Sequence, residues 1–229
     1  MKTNVMGATN VIRAALSEPS KVELAVAIST DKACKPVNVM GMTKAVQERL
    51  FVNANLGQSE RRFLCVRYGN VISSRGSVVP LFLDQIARGG PVTVTLEEMT
   101  RFLLTLDRAV ETVFAAIEAG EAGDTYVPHV PSAYVMDLAR ALIDGRGIPI
   151  RITGIRPGEK VHEVMVSEEE IFRTVARGDY YVIRPILPEL RAEGPEPLAR
   201  TTEYSSREVT LSQETLRDLL ETARVLASN

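Results

Sequence analysis

Apolar positions along the first ninety residues alternate between helical spacing and short continuous runs. A continuous run of strand length, such as residues 22–29, is typical of a strand covered on both faces of a sheet. Spacings of three and four residues predict helices instead. The pattern predicts helices over 3–16, 39–55 and 78–87 and strands over 22–29 and 63–68. Strands that alternate with helices in this way predict parallel βαβ units.

Beyond about residue 90 the predicted elements become shorter and less regular. The pattern predicts strands over 92–95, 101–104, 124–128, 150–153 and 180–186, and helices over 107–119, 136–143, 167–175 and 212–226. Residues 185–197 hold four prolines and are expected to form an irregular excursion. The predicted fold class is α/β, with a parallel sheet followed by a smaller mixed α/β portion.

Composition excludes several classes of protein and partner. The chain has 229 residues, 24% of them charged, and a net charge of -2, which argues against a nucleic-acid or anionic-membrane binder. Neither a bilayer-length apolar run nor a secretory signal is found. The cysteines, Cys34 and Cys65, make no disulfide framework, which suits the cytoplasm. No cluster has metal-ligand spacing, so no metal is expected.

A polar cluster follows the predicted strand at 22–29. Thr30, Asp31 and Lys32 come where the strand ends, and open α/β sheets place their ligands at the carboxyl ends of strands. Asp31 and Lys32 are candidates for an acid and a base. An exposed ion pair is the alternative.

A second candidate group lies on the helix predicted next. Lys44 is four residues after Met40, so the two side chains share one helix face. A lysine at this place is a candidate to hold the ribose hydroxyls of a nucleotide and, as a cationic neighbour, to lower the pKa of Lys32. A solvated surface lysine is the alternative interpretation.

Candidate phosphate-binding groups follow later in the chain. Asn70, Ser74 and Arg75 lie in the loop after the second strand and offer hydrogen-bond donors to a diphosphate. Arg156 is a candidate to bind phosphate through its guanidinium fork, and Glu159 is a candidate carboxylate for ribose hydroxyls. For each of these two groups, an ordinary polar loop is the alternative interpretation. Arg101 is a further candidate for a diphosphate contact, and an arginine at a strand edge is the alternative there. No glycine-rich phosphate fingerprint follows a first strand.

Seven segments together carry a resemblance that none carries alone. They are Ser29-Thr30-Asp31-Lys32-Ala33, Asn38-Val39-Met40-Gly41-Met42-Thr43-Lys44, Arg67-Tyr68-Gly69-Asn70-Val71, Ser74-Arg75-Gly76-Ser77-Val78-Val79-Pro80, Met99-Thr100-Arg101-Phe102, Gly154-Ile155-Arg156-Pro157-Gly158-Glu159-Lys160 and Glu203-Tyr204-Ser205-Ser206. In this order they resemble the extended short-chain dehydrogenase/reductase family. The similar branch is the 5-inverting UDP-N-acetylglucosamine 4,6-dehydratases of bacterial surface polysaccharide biosynthesis, which serve capsule and O-antigen pathways.

The resemblance implies a lyase reaction with NADP as cofactor. In such enzymes NADP oxidises the sugar at C4, water leaves across C5–C6, and the hydride returns to C6. By position, Lys32 would remove and return the C5 proton, Asp31 would protonate the departing hydroxyl, and Thr30 would hydrogen-bond near O4. Lys44 would bind the nicotinamide ribose. The remaining implied residues are Tyr68 and Asn70 for the cofactor and Asn70, Ser74, Arg75, Arg101, Arg156 and Glu159 for the UDP-sugar.

The resemblance also implies how the chain is organised. Residues 1–90 are expected to be the C-terminal part of a Rossmann-type, NADP-binding domain with the catalytic strand and helix. Residues 91–229 are expected to be mainly the UDP-sugar-binding portion and a C-terminal extension. The full-length family leads us to expect a homo-oligomer.

The chain departs from the family pattern in two respects. Met40 stands where most short-chain dehydrogenases have a catalytic tyrosine, as it does in some dehydratases of this branch. The family's first half, with the glycine-rich turn, has no counterpart within these 229 residues, and we expect the chain to start in the helix before the catalytic strand. Two further expectations therefore stay open, a truncated non-catalytic fragment and a relative of the UDP-hexose 4-epimerases.

Overall fold

The computed structural model describes residues 1–18, 20–58, 60–74, 76–191, 194 and 196–226. Contacts divide the chain into two compact units that interleave along the sequence. The first unit comprises Met1–Tyr68, Val110–His129 and Val164–Tyr204, and the second comprises Gly69–Ala109, Val130–Glu163 and Ser205–Asn229. The functional division at residue 90 stays a prediction.

Within the described residues, helices and short strands are distributed over the whole length of the chain. The α-helices are α1 (Ala8–Leu16), α2 (Val39–Asn53), α3 (Val78–Ala87), α4 (Leu106–Ala119), α5 (Val135–Ile143) and α6 (Gln213–Thr222). The strands are β1 (Leu24–Thr30), β2 (Arg62–Tyr68), β3 (Asn70–Val71), β4 (Val92–Val94), β5 (Thr100–Leu104), β6 (Thr125–Pro128), β7 (Ser132–Tyr134), β8 (Ile150–Ile152), β9 (Val164–Val166), β10 (Thr174–Arg177), β11 (Tyr180–Ile183) and β12 (Tyr204–Ser205). A π-helical segment, Lys2–Gly7, precedes α1, and 3-10 turns lie at Asp31–Ala33, Ile171–Arg173 and Pro188–Leu190.

The first unit is built on a mixed sheet with the strand order β1-β2-β6-β11-β10. Strands β1, β2 and β6 are parallel, and β11 and β10 add to them in antiparallel fashion. The register of β1 and β2 places Thr30 opposite Tyr68. The predicted α/β class with a parallel sheet is therefore confirmed.

Strand β2 is buried on both faces of this sheet. Phe63 and Cys65 belong to a cluster that also contains residues of α1 and α2. Leu64 and Val66, whose side chains point to the other face, pack in a second cluster with Ala116 of α4. Because both faces are covered, the strand reads as a continuous apolar run instead of an alternating one.

The second unit has its own core between short sheets and helices. Strands β3 and β5 are parallel, β7 pairs with β5 in antiparallel fashion, and β4 pairs with β8 in parallel. Helices α3, α5 and α6 cover them, with Phe82, Leu142 and Leu216 among the fully buried side chains. This core is independent of the clusters around β2.

Most predicted elements are confirmed within a few residues of their bounds, but the helix predicted over 167–175 is wrong. A 3-10 turn and the start of β10 occupy this stretch, because Thr174 and Val175 pair with β11. The excursion predicted over 185–197 contains the turn at Pro188–Leu190, while residues 192, 193 and 195 lie outside the described residues.

Candidate active site

The carboxyl end of β1 turns sharply into a short segment that we call the acid–base turn (residues 30–33). Thr30 is extended and its hydroxyl accepts a hydrogen bond from the backbone N–H of Lys32 at 3.4 Å. The same hydroxyl donates to Oδ1 of Asp31 at 2.9 Å. The turn therefore brings a hydroxyl, a carboxyl group and an amine together where β1 ends.

Asp31 is fully buried, which is unusual for a carboxyl group. Its Oδ1 accepts hydrogen bonds from Thr30 and from Nζ of Lys32, the latter at 3.1 Å. Its Oδ2 is buried and has no hydrogen-bond partner among the described residues. A buried polar atom without a donor costs free energy, and such atoms are candidates for catalysis or for binding an absent group.

Helix α2 presents the next functional side chain to the end of β1. Its first turn is capped by Asn38, whose Oδ1 accepts a hydrogen bond from the N–H of Gly41 at 2.9 Å. Met40, which is 44% exposed, lies in this turn. Lys44 is one turn further on and donates to the carbonyl oxygen of Ile28 at 2.7 Å. Burial lowers the pKa of Lys44.

A glycine permits α2 to lie directly against the acid–base turn. A Cβ atom at Gly41 would overlap the carbonyl oxygen of Lys32 and would crowd the ring of Pro36. Since Gly41 has an ordinary helical conformation, close approach and not backbone freedom explains this glycine. The close approach of α2 to the acid–base turn therefore requires glycine at position 41, because any larger side chain would overlap the backbone of Lys32.

Behind the turn, a buried arginine joins several elements of the first unit. Arg67 of β2 forms paired hydrogen bonds with Glu48 of α2, at 3.0 and 2.6 Å, and with Glu170, at 2.7 and 2.9 Å. It also donates to the carbonyl of Met165 at 2.8 Å. Ser29, the residue before Thr30, donates to Glu48 at 2.6 Å. We call Arg67, Glu48 and Glu170 the buried ion network.

The pairing in the buried ion network favours the charged forms of Glu170 and Arg67. Burial by itself would raise the pKa of Glu170, but the charge and hydrogen bonds of Arg67 outweigh it and hold that pKa at about 2. Burial would likewise lower the pKa of Arg67, and the two carboxylates raise it well above its ordinary value. Bidentate pairs of this kind fix geometry as well as charge, so the network holds β1, α2 and β2 in one arrangement.

Lys35 fastens the segment that follows the acid–base turn. Its backbone has a φ of 45°, in the left-handed region that few residues other than glycine adopt. Its Nζ lies 2.9 Å from Glu168 and 2.7 Å from Glu203. Hydrogen bonds from Lys35 to these carboxylates, Glu203 first, raise the pKa of the lysine. The ion pairs thus hold a strained backbone close to the candidate catalytic residues.

Tyr68 ends β2 in the first unit, opposite Thr30 in the register. Burial raises the pKa of its hydroxyl. Among the predicted residues of the first unit, the structure thus brings together Thr30, Asp31 and Lys32, with Lys44 against the same strand and Tyr68 on the neighbouring strand.

The other predicted residues lie in the second unit. Asn70 begins β3, and Ser74 is exposed in the turn that follows, next to Ser73 with a φ of 65°. Arg75 lies outside the described residues. Arg101 donates to the carbonyls of Thr100 and Val161 at 2.7 and 3.1 Å, so it is anchored to the backbone.

Arg156 and Glu159 form a closed turn. The N–H of Arg156 lies 3.3 Å from Oε2 of Glu159, and the N–H of Glu159 lies 3.1 Å from the carbonyl of Arg156. The guanidinium of Arg156 has no hydrogen-bond partner among the described residues and is exposed, which leaves its fork open to an anion.

Sequence reasoning missed Glu48, Glu170 and the structural part played by Arg67. Glu48 had a local signal, because it follows Lys44 by one helical turn and shares its face. Glu170 had none, since it is 103 residues from Arg67 along the chain. Its partner is recognisable only in the folded structure.

Two further features are absent from the described residues. No group of His, Cys, Asp or Glu there has the arrangement of a metal site. Likewise, none of the helices formed by those residues is both long and apolar enough to cross a bilayer.

Comparison with known families and proteins gives three kinds of match. Residues 1–185 match the family described as "Polysaccharide biosynthesis protein". A UDP-N-acetylglucosamine 4,6-dehydratase (inverting) of Campylobacter jejuni is 43% identical over 190 residues, covering 81% of this chain and 55% of the relative. A UDP-glucose 4-epimerase of Rickettsia canadensis is 42% identical over 230 residues, covering 96% of this chain and 67% of the relative.

Solved structures agree on the fold. The structure of Pen from Bacillus thuringiensis is 34% identical, with a TM-score of 0.88, and the match covers 98% of this chain and 69% of that one. DesIV, a dTDP-glucose 4,6-dehydratase from Streptomyces venezuelae with NAD bound, shares the fold at 18% identity and a TM-score of 0.63, over 70% of this chain and 56% of its own. The chain spans 55% to 67% of the length of the curated relatives named above.

Proposed function

Because the chain belongs to the polysaccharide-biosynthesis branch of the extended short-chain dehydrogenase/reductase family, we propose that it carries the acid–base centre of a UDP-N-acetylglucosamine 4,6-dehydratase. The two curated relatives named above are a nucleotide-sugar dehydratase and a nucleotide-sugar epimerase, which supports a nucleotide sugar as the substrate. The dehydratase reaction removes water across C5–C6 of the sugar, which needs a base and an acid at neighbouring atoms.

The contact between Asp31 and Lys32 is the observation that carries this proposal. The carboxyl group and the amine are 3.1 Å apart at the end of a parallel strand, and Oδ2 of Asp31 is buried without a donor. A carboxyl group and an amine this close together suit neighbouring proton transfers at C5 and C6. Met40 has no acidic proton, so the proposal assigns it no proton transfer.

The first unit also fits a nicotinamide cofactor, which we propose to be NADP. An ammonium group has three donors, and Lys44 uses one of them on Ile28, so two remain for the ribose hydroxyls. Tyr68 and Asn70 are proposed to contact the cofactor as well. When bound, the cofactor supplies oxidation at C4 and return of the hydride at C6.

Protons balance if the two residues of the acid–base turn work in sequence. Asp31 accepts the proton of the C4 hydroxyl, with Thr30 hydrogen-bonding near that oxygen. Lys32 removes the C5 proton, which the C4 ketone makes acidic, and Asp31 delivers its proton to the C6 hydroxyl as it leaves as water. Lys32 then returns its proton to C5 from the other face, and both residues regain their starting states.

The second unit is proposed to bind the UDP group. Arg156 offers an exposed guanidinium fork for phosphate, and Glu159 a carboxylate for ribose hydroxyls. Asn70, Ser74, Arg75 and Arg101 complete the proposed set.

The test is product analysis with UDP-N-acetylglucosamine and NADP, using the protein at its full natural length. We expect a 4-keto-6-deoxy sugar that carries solvent deuterium at C5 when the reaction runs in deuterium oxide. Lys32→Ala should abolish both signals, and Asp31→Asn should abolish product formation. Lys21→Ala, an exposed lysine outside the acid–base turn, is the matched control. Full turnover in Lys32→Ala would refute the assignment.

A 4-epimerase is the second candidate, favoured by the match to the Rickettsia protein over 96% of the chain. An epimerase inverts C4 and leaves the C6 hydroxyl in place. An epimerase therefore needs no acid at C6 and no base at C5, so its reaction would not explain the contact between Asp31 and Lys32. Formation of UDP-N-acetylgalactosamine without any 6-deoxy product would establish this candidate instead.

A further inference from the structure

A cavity in the first unit is lined by the last residue of the acid–base turn and by the segment that follows it. It has a volume of about 600 Å³, and its wall includes Ala33, Cys34 and Lys35. The remaining wall comes from α2, the buried ion network and the stretch around Ile171–Arg173. Neither the proposed catalytic steps nor the proposed UDP contacts use this space.

Positive charge is in excess along the wall of this cavity. Five cationic side chains line it, against three carboxylates. Arg67 is neutralised within the buried ion network and Lys35 by Glu168 and Glu203. Arg49 is exposed and has no hydrogen-bond or ion-pair partner among the described residues. Arg173 lies 3.5 Å from Glu170, whose carboxylate is shared with Arg67, and donates to the carbonyl of Arg184. Among the described residues, Arg191 donates only to the backbone carbonyls of residues 185 and 186.

The arginines of the cavity repel one another. Burial lowers the pKa of Arg173 to about 10; Glu170 opposes this shift, and the charges of Arg49, Arg67 and Arg191 add to it. Since like charges held close together cost free energy, an anion placed among them would be bound favourably. Planar guanidinium groups suit phosphate in particular, because they can donate two parallel hydrogen bonds to its oxygens.

An apolar surface adjoins this charge. Phe172 and Ile186 line the cavity and are 74% and 48% exposed. Large apolar side chains at the mouth of a pocket are typical of sites that bury part of a ligand. A ligand with both a charged and an apolar part would cover the two features at once.

We propose that this cavity binds a small organic phosphate, with its phosphate group among Arg49, Arg173 and Arg191 and its apolar or aromatic part against Phe172 and Ile186. None of the residues that line the cavity is among the proposed sugar-nucleotide contacts. It is independent of the proposed reaction, so its test does not rely on turnover.

The test is a calorimetric titration of the full-length protein with phenyl phosphate, which joins a phosphate to a planar ring. We expect saturable binding that is weakened about tenfold by Arg49→Gln, since a hydrogen bond to a charged group is lost. Phe172→Ala should weaken phenyl phosphate but not inorganic phosphate. Both side chains are exposed, so the variants are expected to fold, and circular dichroism verifies this.

Two matched controls locate the site. Arg13→Gln changes another exposed helical arginine, in α1, and should leave the affinity unchanged. Arg156→Gln changes the proposed UDP contact and should also leave it unchanged. The proposal is overturned if phenyl phosphate does not saturate, if Arg49→Gln has no effect, or if Arg156→Gln abolishes binding. Equal affinity for inorganic phosphate and phenyl phosphate would refute the apolar part of the site.

Discussion

At the scale of single residues, Asp31 is the position where stability and chemistry conflict most directly. Its carboxyl group is fully buried, and one oxygen has no donor among the described residues. Proteins retain such costly groups at functional sites, where removing them commonly increases stability and abolishes activity.

We therefore predict that Asp31→Asn does not lower the melting temperature, although it abolishes product formation. The amide keeps an oxygen that accepts hydrogen bonds from Thr30 and Lys32. It also removes a buried charge, and this removal is expected to stabilise the fold by about 1–2 kcal/mol. Thermal unfolding monitored by circular dichroism measures the first effect. Asp137→Asn, on the surface of α5, is the control and should change neither quantity. A large fall in melting temperature for Asp31→Asn would contradict this view of the site.

Glu170 gives a prediction on the dependence of stability on pH. Its pKa is about 2 in the folded protein against an ordinary value of 4.5, so its pairing with Arg67 stabilises the fold above pH 4.5. This contribution is lost as the pH falls from about 4.5 to about 2. We predict that Glu170→Gln lowers the free energy of unfolding by about 3 kcal/mol at neutral pH. The difference in this free energy between the variant and the wild type should shrink as the pH falls from about 4.5 to about 2.

Urea unfolding at a series of pH values measures this difference. Glu169→Gln, at the exposed neighbouring position, should change the free energy of unfolding by less than about 0.5 kcal/mol at any pH. A difference between wild type and Glu170→Gln that stays constant down to pH 2 would disprove the assigned role of the charge.

Sequence alone identifies functional residues when their role follows from their place relative to a neighbouring strand or helix. Asp31 and Lys32 are found because polar residues after a buried run mark the ligand-binding end of a strand. Arg67 is harder, because both of its carboxylate partners are distant along the chain. The motif around Arg67 predicts a nucleotide-binding loop. The side chain itself is buried and hydrogen-bonds Glu48 and Glu170.

At the scale of elements, the contact between α2 and the acid–base turn decides where Lys44 lies. Alanine favours helices over glycine by about 1 kcal/mol, so a helical glycine is expected to cost stability unless it serves packing. Gly7 and Gly41 are both helical, yet a Cβ atom at Gly7 would have its nearest contact at 3.6 Å, whereas one at Gly41 would overlap Lys32.

We predict opposite results for the same substitution at these two glycines. Gly7→Ala should raise the free energy of unfolding by about 0.5–1 kcal/mol. Gly41→Ala should lower it by about 1–3 kcal/mol and reduce turnover, because α2 must move away from the acid–base turn. Urea unfolding and product formation measure the two effects. If Gly41→Ala stabilised the protein as Gly7→Ala does, the close contact would not exist in solution.

The elements that sequence predicts well are those with strong local patterns. The strands β1 and β2 read as continuous apolar runs, and α2 has a capping asparagine and good helix formers. The stretch at 167–175 fails for the opposite reason. Its three consecutive glutamates favour a helix, but Glu170 is drawn to Arg67 and Thr174 pairs with Ile183, so tertiary contacts override the local preference.

At the scale of the whole molecule, strand order is the property that sequence could not supply. Strand β6 lies next to β2 although more than fifty residues separate them, and β11 then adds on the other side of β6. Local patterns predict the strands themselves, but only the folded chain shows that contributions from three distant stretches complete the sheet of the first unit.

The central place of β2 predicts an unequal distribution of local stability. Leu64, Cys65 and Val66 are fully buried, and β2 is paired on both sides, whereas Lys2–Gly7 has no buried residue. In hydrogen exchange followed by mass spectrometry, peptides from β2 should exchange most slowly and those from Lys2–Gly7 most quickly. Comparable exchange rates in the two segments would contradict the layered packing described for the first unit.

The buried ion network has a consequence for how this chain can vary over evolution. One guanidinium satisfies two carboxylates from distant parts of the chain. Removing Arg67 leaves two buried carboxylates without a cation, and removing either carboxylate leaves buried N–H donors of Arg67 without their acceptors. Substitutions at positions 48, 67 and 170 should therefore occur together in evolution and not singly. In an alignment of relatives, these columns are expected to covary as a triplet, even in lineages whose substrates have diverged.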